Sequence, residues 1–351
     1  CIYMLKAGLI AFFFSLCLIL SAQNPDDDPL LITLDSLINS GSDTTTISFQ
    51  NQILNQAESR NDPSLLAKVL QRLAGYQLIN NRYNLADKTI KKLTNLSLSS
   101  GDSSSLSEAY LLRGRWHFNQ GDPNAALDFY YKSIDVSPKT TDSHYVTYGY
   151  IARILQNNRD SENAIKYHKL ALEGSESNED WNSYTRTCIN LCILFNGKAT
   201  LNLDSSAHYG LRALEVAEQN NLDYMAAVAK NIVTAPLIRL GEHEKGLRFS
   251  KESMQLAEQY RMPARSEYIQ YINQAYAYLG LGHLDSARIV GGIAREMWSE
   301  SIENWRLDYN IHKESGDFQK ALIAMETYHE KSDSVTEANT RMKFSENQSR
   351  L

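Results

Sequence analysis

Residues 109–138 read AYLLRGRWHFNQGDPNAALDFYYKSIDVSP, and this stretch decides the fold. Apolar and small side chains recur every three or four residues on both sides of a short polar break, which is the pattern of two helices joined by a turn. Gly121 can take the left-handed conformation that ends a helix, Asp122 suits the N-cap of the next helix, and Pro123 suits its first position. Pro138 stops the second helix. The stretch therefore predicts a helical hairpin.

The hairpin returns along the chain at a nearly constant period. A small residue opens the second helix of each copy, and the distances between successive copies are 40, 38, 42, 40, 41 and 34 residues. Seven residues later comes another residue that is mostly small, and two helical turns place both on one face. Small side chains let antiparallel helices approach closely. The residues assigned to this packing are Gly114, which faces the second helix of its copy, and the openers Ala86, Ala126, Ala164, Ser206, Gly246, Ala287 and Ala321.

Some copies depart from the pattern. Arg159 and Gly197 break the glycine spacing of the turn, and Pro236 lies within the first helix of its copy, where we expect a kink. Gly291 and Gly292 fall inside a second helix, and we interpret them as a site of close helix packing.

Two copies resemble the tetratricopeptide repeat (TPR) family. The resemblance implies an all-α, right-handed superhelical solenoid of about seven antiparallel helix pairs, covering residues 47–332. Most copies are about 40 residues long and not the usual 34 of the family, so we expect longer helices and loops, such as a loop at 174–180. The family binds many unrelated partners, so the fold alone does not define a function. The matching residues are Gly114, His117, Gly121, Ala126, Tyr130 and Pro138 in one copy, and Tyr309, His312, Gly316, Ala321 and Tyr328 in the other.

Composition and charge exclude some classes of function. The 351 residues include 35 basic and 41 acidic side chains, a net charge of −6, and no basic stripe. Nucleic-acid binding through this segment is therefore not expected. The hydrophobic fraction of 43% and the charged fraction of 22% are typical of a soluble domain.

The N-terminus has the pattern of a secretory signal peptide. Lys6 precedes an apolar run at 7–20, and small residues follow it. We predict a signal peptide at 1–23, a linker with a short helix at 24–46, and export to the periplasmic or extracytoplasmic side of a membrane. An uncleaved anchor is the alternative. Cys17 follows Leu16, where a lipoprotein signal would have a small residue, so a lipid anchor is not favoured.

The C-terminal stretch 333–351 is predicted to be a charged helix. It resembles the end of exported TPR sensor regions in bacterial signalling proteins, whose chains continue into a membrane span and a kinase or DNA-binding module. This resemblance implies a sensory, protein-binding role, with membrane contact only through the leader or such a span. The alternatives are a stand-alone secreted or periplasmic TPR scaffold, and a non-catalytic appendage of an enzyme whose catalytic domain is absent from this sequence.

No motif of catalytic chemistry is present in the sequence. The chain has no phosphate-binding G-x-x-x-x-G-K-[ST], no G-x-S-x-G and no H-E-x-x-H. We therefore predict no enzyme activity for this sequence, no catalytic residues, no cofactor and no metal site. Cys188 and Cys192 share a helix face and are interpreted as buried apolar residues, with half of a metal site as the alternative. The eight histidines, His168 among them, are expected to be structural.

The TPR register predicts a partner groove. First helices of the repeats line the inner concave wall in this family, which implies that a protein or peptide binds there. Arg115 and Arg153 could together hold a carboxylate through forked hydrogen bonds. Solvated polar side chains are the alternative for each arginine. The candidate groove residues are Arg115, Phe118, Asn119, Arg153, Gln156, Asn157, Phe195, Arg239 and Tyr276.

Overall fold

The computed structural model describes residues 28–39, 47–136 and 144–348. In these ranges the chain forms sixteen α-helices and no strand. The predicted signal peptide 1–23 and the helix stop at Pro138 lie outside the described residues. The helices are α1 (Pro29–Asn39), α2 (Ile47–Ser59), α3 (Pro63–Ile79), α4 (Tyr83–Ser100), α5 (Ser103–Asn119), α6 (Pro123–Val136), α7 (His144–Asn157), α8 (Ser161–Ser177), α9 (Trp181–Asn196), α10 (Leu203–Gln219), α11 (Asp223–Arg239), α12 (His243–Gln259), α13 (Ala264–Gly280), α14 (Leu284–Met297), α15 (Ile302–Glu314) and α16 (Phe318–Gln348).

The predicted all-α repeat fold is confirmed. From α3 to α16 the helices follow one another as seven consecutive pairs, and α1 and α2 precede them. The chain divides into two compact units, the N-terminal unit (1–154) and the C-terminal unit (155–351). Helix pairs that pack against each other are α3–α4 and α5–α6 in the first, and α9–α10, α11–α12, α13–α14 and α15–α16 in the second.

The turns show why the helices end where they do. Gly121, Gly241, Gly282 and Gly316 have φ angles of 76° to 87°, in the left-handed region that glycine adopts without strain. Arg159 has φ 64° and takes the same conformation, so the missing glycine did not change the turn.

Side-chain caps begin many of the helices. The carboxylate of Asp122 accepts a hydrogen bond from the amide of Ala125 at 3.0 Å, as the sequence of that turn predicts. Asp62 and Asp102 cap α3 and α5 in the same way, each accepting two backbone N–H bonds. The repeat boundaries are therefore set locally, by the sequence of each turn.

The small residues of the repeat register are buried. The seven openers and Gly114 all lie in the interior, Ala126 with no exposed surface and Ala321 with 4%. A side chain at Gly114 would clash with the ring of Tyr130, and one at Gly246 would clash with Ile238. Facing helices therefore come close because these positions carry little or no side chain.

The structure defines the helix bounds at three places where the sequence predicted a loop, a kink or a separate C-terminal helix. Helix α8 continues to Ser177, so the expected loop at 174–180 is mostly helical. Helix α11 passes through Pro236 and ends at Arg239, within one turn of the proline. Helix α16 is continuous from 318 to 348, so no break separates the repeats from the charged helix expected at 333–351.

Candidate functional site

Two of the predicted groove arginines meet at one aromatic ring in the N-terminal unit. Helix α5 carries Arg115 and Phe118, and helix α7 carries Tyr150 and Arg153. The guanidinium carbon of Arg153 lies 4.3 Å from the ring centroid of Phe118 and 5.2 Å from that of Tyr150. The guanidinium carbon of Arg115 lies 5.6 Å from the Tyr150 centroid. Stacking on aromatic faces holds both cations in place.

We call Arg115, Phe118, Tyr150 and Arg153 the arginine–aromatic cluster. A buried tyrosine packs against it. Tyr130 of α6 has no exposed surface and stacks on Tyr150, with ring centroids 5.5 Å apart and an interplanar angle of 18°. The ring fits beside α5 only because residue 114 is glycine. The absence of a side chain at Gly114 therefore leaves room for the Tyr130 ring, which stacks on Tyr150. Both arginines in turn stack on Tyr150.

The charges of the cluster are not neutralised within it. Neither Arg115 nor Arg153 forms an ion pair with a carboxylate of the described residues. Arg113, on the same helix as Arg115, is in contrast paired with Asp87 at 2.5 Å. Burial raises the pKa of Glu108, two turns before Arg115, and the positive charge of Arg115 opposes that rise. The cluster thus presents net positive charge.

Two buried polar groups of the cluster have no protein partner in the described part of the chain. They are the Tyr130 hydroxyl and the Arg153 Nε. Buried polar groups in folded proteins nearly always form a hydrogen bond, so such a pair in one place calls for an explanation.

The remaining predicted residues of this region lie at helix ends. Asn119 is exposed at the C-terminus of α5. Gln156 is half-buried and Asn157 exposed in the last turn of α7. Among the described residues none of the three contacts the arginine–aromatic cluster, so in that part of the chain the structure groups Arg115, Phe118 and Arg153 of the predicted set.

The predicted groove residues of the C-terminal unit contact different neighbours. Phe195 stacks on Tyr209, with centroids 5.7 Å apart and an interplanar angle of 5°. Arg239 donates from Nη1 to the side-chain oxygen of Asn196 at 2.5 Å and to its carbonyl at 3.1 Å, which caps the end of α9. These contacts explain Phe195 and Arg239 by packing and capping.

Tyr276 belongs to a neutralised cluster in the C-terminal unit. Arg306 donates from Nε to the Tyr276 hydroxyl at 3.1 Å and pairs with Glu303 at 2.6 Å. Burial raises the pKa of Tyr276, and the charge of Arg306 acts against that rise. Because Arg306 already has an acidic partner, this cluster differs from the one around Arg115 and Arg153.

Sequence reasoning missed Tyr150, the residue that joins the site. The signal was present, because Tyr150 lies three residues before Arg153 and therefore on the same face of a helix. Tyr130 was noted only as a repeat residue. Its role depends on a stacking contact with another helix, which spacing does not reveal.

Cys188 and Cys192, for which half of a metal site was the alternative interpretation, are buried packing residues in the structure. Cys188 and Cys192 are fully buried free thiols, and burial raises the pKa of Cys188 to about 12. Cys192 lies 3.5 Å from the hydroxyl of Ser206, which donates to the Cys192 carbonyl at 2.8 Å. Among the described residues no group of three or more His, Cys, Asp or Glu side chains could hold a metal ion. No helix in that part has the length and apolar character of a membrane span.

Comparison with known proteins places one repeat in a family. Residues 107–140 match the family model of the tetratricopeptide repeat. This segment contains Gly114, Tyr130 and most of α5 and α6. No curated protein sequence matches the chain.

Solved structures share the fold at low sequence identity. One is a Signal Transduction ATPase with Numerous Domains (STAND) protein with a tetratricopeptide repeat sensor from Pyrococcus horikoshii, with a TM-score of 0.60, 13% identity, 94% of this chain covered and 53% of that chain. The apo form of RapI has a TM-score of 0.57 at 11% identity, covering 86% of this chain and 87% of that one. A Rap protein complexed with Competence and Sporulation Factor has a TM-score of 0.52 at 15% identity, covering 91% and 92%. This chain thus spans about half of the STAND protein, and the resemblance to TPR proteins is confirmed for the fold.

Proposed function

We propose that this tetratricopeptide repeat protein binds a segment of another protein through a carboxylate held between Arg115 and Arg153. The observation that carries the proposal is that both guanidinium groups stack on Tyr150 without an ion-pair partner among the described residues. The carboxylate could be a C-terminus or an acidic side chain, since both present the same two oxygens.

Arginine is suited to this task. Its guanidinium keeps its charge when partly buried and offers paired N–H groups that match a carboxylate. Arg115 and Arg153 are both half-buried, so their attraction for an anion is screened less than that of fully exposed arginines. The stacking contacts restrict both side chains before a ligand arrives, which lowers the entropic cost of binding.

The comparisons support binding of a partner, and they do not identify it. A tetratricopeptide repeat match and a Rap protein solved with a bound factor are consistent with a peptide-binding role. We expect no catalytic activity from these 351 residues, because the sequence contains none of the catalytic motifs sought above.

A peptide-library experiment tests the proposal. The probes are a library of labelled peptides with free C-terminal carboxylates, the same library with amidated C-termini, and an amidated library enriched in Asp and Glu. We expect wild-type protein to retain carboxylate-bearing peptides, with affinity that falls as salt is raised. The variant Arg115→Glu with Arg153→Glu should lose at least about tenfold in affinity.

The matched control carries the same change of charge elsewhere. Arg248→Glu with Arg265→Glu alters two exposed arginines of the C-terminal unit and should leave binding unchanged. Arg153→Lys keeps the charge but loses the fork and the planar stacking, so it should have an intermediate effect. Equal binding by wild type and the Arg115/Arg153 variant, both with native circular dichroism, would show that the cluster is not the site.

We also propose that the chain is exported and serves as the sensory part of a bacterial signalling protein. The support is the leader sequence and the resemblance of the C-terminal stretch to such sensors. Fusion of alkaline phosphatase after residue 46 should give activity in a bacterial periplasm, and inactivity of that fusion would contradict export. A stand-alone scaffold and an enzyme appendage remain the alternatives. The coding sequence after Leu351 separates them, because a membrane span with a kinase or DNA-binding module favours the sensor.

A further inference from the structure

Helix α14 carries an exposed apolar row on its outer face. Two residues after the small opener, the side chain is exposed in all seven repeats. In five of them it is charged or polar, and in α14 it is Ile289, which is 67% exposed. Ile293 and Met297 follow at intervals of one helical turn and are 37% and 38% exposed. The residues in the five polar repeats are Lys88, Asp128, Lys166, His208 and Arg248, and the remaining one is Ile323.

An exposed glycine lies within this face. The sequence predicted close helix packing for Gly291 and Gly292 together, and the structure separates them. A Cβ at Gly291 would lie 2.9 Å from Leu307, so that glycine lets α15 pack against α14. A Cβ at Gly292 would meet nothing within 4 Å. Glycine inside a helix lowers its stability relative to alanine, and no packing contact within the described chain accounts for it here.

The charges around Gly292 form a self-complementary pattern. Arg288 lies one turn before Gly292 and Glu296 one turn after it, and both are exposed. Arg288 also forms an exposed ion pair with Asp285 at 3.4 Å, and such a surface pair can exchange for another acidic partner at little cost. When two such helices cross antiparallel with a two-fold axis near Gly292, Arg288 of each copy faces Glu296 of the other. The same operation brings Ile289 of one copy beside Ile293 of the other. A two-fold interface requires a surface that matches itself in this way.

We propose that the outer face of α14 binds a second copy of this chain, forming an antiparallel helix pair centred on Gly292. Gly292 allows the two backbones to approach, the row Ile289, Ile293 and Met297 is removed from water, and two Arg288–Glu296 pairs fix the direction of the helices. The proposal does not depend on the ligand site at Arg115 and Arg153.

The size of the face sets the strength that we expect. Helix α14 has 14 residues, and at about 1.5 Å per residue it offers a smaller contact than a standard stable interface. The dimer should therefore be weak and dependent on concentration. Sedimentation velocity of the full chain across the micromolar range should show an increase in average mass with concentration.

Charge reversal provides the main test. Arg288→Glu alone, or Glu296→Arg alone, places like charges opposite each other across the two-fold axis and should weaken dimerisation about tenfold. Arg288→Glu combined with Glu296→Arg recreates two opposite-charge pairs and should restore it. Arg248→Glu, at the equivalent outer position of α12, is the control and should have no effect.

Substitution of Gly292 separates assembly from folding. Gly292→Leu should raise the melting temperature of the monomer slightly, since the position is open and leucine favours helix. It should abolish the dimer, since the backbones can no longer approach. A wild-type chain that stays monomeric throughout the range, or a double charge reversal that dimerises no better than the single ones, would overturn the proposal and assign the face to another occupant.

Discussion

Helix pairs α5–α6 and α11–α12 share one register and distribute side-chain volume in opposite ways. In α5–α6 the position twelve residues before the opener is Gly114, and the position four residues after it is Tyr130. In α11–α12 the same two positions hold Thr234 and Ser250. All four are buried. In α5–α6 the large Tyr130 side chain therefore faces a glycine, whereas in α11–α12 two smaller side chains fill the corresponding space.

This difference decides the chemistry next to each pair. Tyr130 stacks on Tyr150 and supports the two arginines of the candidate site. Ser250 instead accepts a hydrogen bond from Gln274 at 3.1 Å and donates to the carbonyl of Gln270 at 3.3 Å. The same position of the repeat thus builds an aromatic support in one unit and a polar seam in the other. Substitutions at these positions test whether the exchange of volume has these consequences.

Tyr130→Ala should have the largest effect on stability. Removing a fully buried aromatic ring costs about 4 kcal/mol in the free energy of unfolding, measured by urea denaturation. Ser250→Ala, at the equivalent position, should cost about 1 kcal/mol. Similar losses in the two variants would mean that the aromatic support and the polar seam contribute alike.

Gly114→Thr introduces the residue of the other pair without its partner. It should cost about 3 kcal/mol, because the new side chain collides with the Tyr130 ring. Gly114→Thr with Tyr130→Ser reproduces the combination found at Thr234 and Ser250 and should be less destabilised than the sum of the single changes. If urea denaturation shows that the losses in unfolding free energy of the two single variants simply add in the double variant, then the two positions do not compensate each other in side-chain volume.

A buried histidine at the repeat position held by Tyr130 and Ser250 predicts that the stability of the fold depends on pH. His168, four residues after the opener Ala164, is fully buried, and neither ring nitrogen has a hydrogen-bond partner in the described residues. Burial lowers the pKa of His168 from 6.5 to about 4. The folded state thus binds fewer protons than the unfolded state between these values. Stability is unaffected above pH 6.5 and falls by about 3 kcal/mol as the pH drops toward 4.

His168→Leu should remove that contribution. Urea denaturation at pH 7 and at pH 4.5 should show a smaller loss of stability in the variant than in wild type. His208→Leu, which changes an exposed histidine, is the control and should keep the wild-type dependence. A wild-type slope retained in His168→Leu would show that this histidine is not the cause.

Asn231→Leu probes a second buried hydrogen bond of the α11–α12 pair. The side-chain amide of Asn231 donates to Ser253 at 3.2 Å, and Ser253 is fully buried. Its loss should cost about 2 kcal/mol, because the serine hydroxyl loses its partner. Adding Ser253→Ala should recover part of the loss, since no buried polar group then remains unpaired. A double variant as unstable as the sum of both changes would show that the two residues are not coupled.

Much of the fold was available from the sequence because its cues are local. The small openers, the cap at Asp122 and the glycine turns each depend on residues within one or two helical turns. These cues predicted the helix pairs correctly. Arg159 adopts the left-handed conformation that glycine adopts in the other turns, so the turn forms there as well. The end of α8 was missed, since nothing in the composition shows that this helix continues to Ser177.

The candidate site was only partly predictable. The register placed Arg115, Phe118 and Arg153 on first helices, and the structure groups these three. It also placed Arg239 and Tyr276 there, yet Arg239 caps α9 and Tyr276 accepts from Arg306. Register predicts which face a residue occupies, and it does not predict which side chain from a distant part of the sequence will reach it.

The sequence by itself determined a chain of paired helices in a repeating register, because turn chemistry and the spacing of small residues act over short distances. Only the tertiary structure decided which arginines have no acidic partner among the described residues, and that two of these arginines stack on Tyr150. It also decided that Gly291 is covered by α15 while Gly292 faces outward. These properties depend on which helices lie side by side, because the contacts around each of these side chains come from residues that are far apart in the sequence.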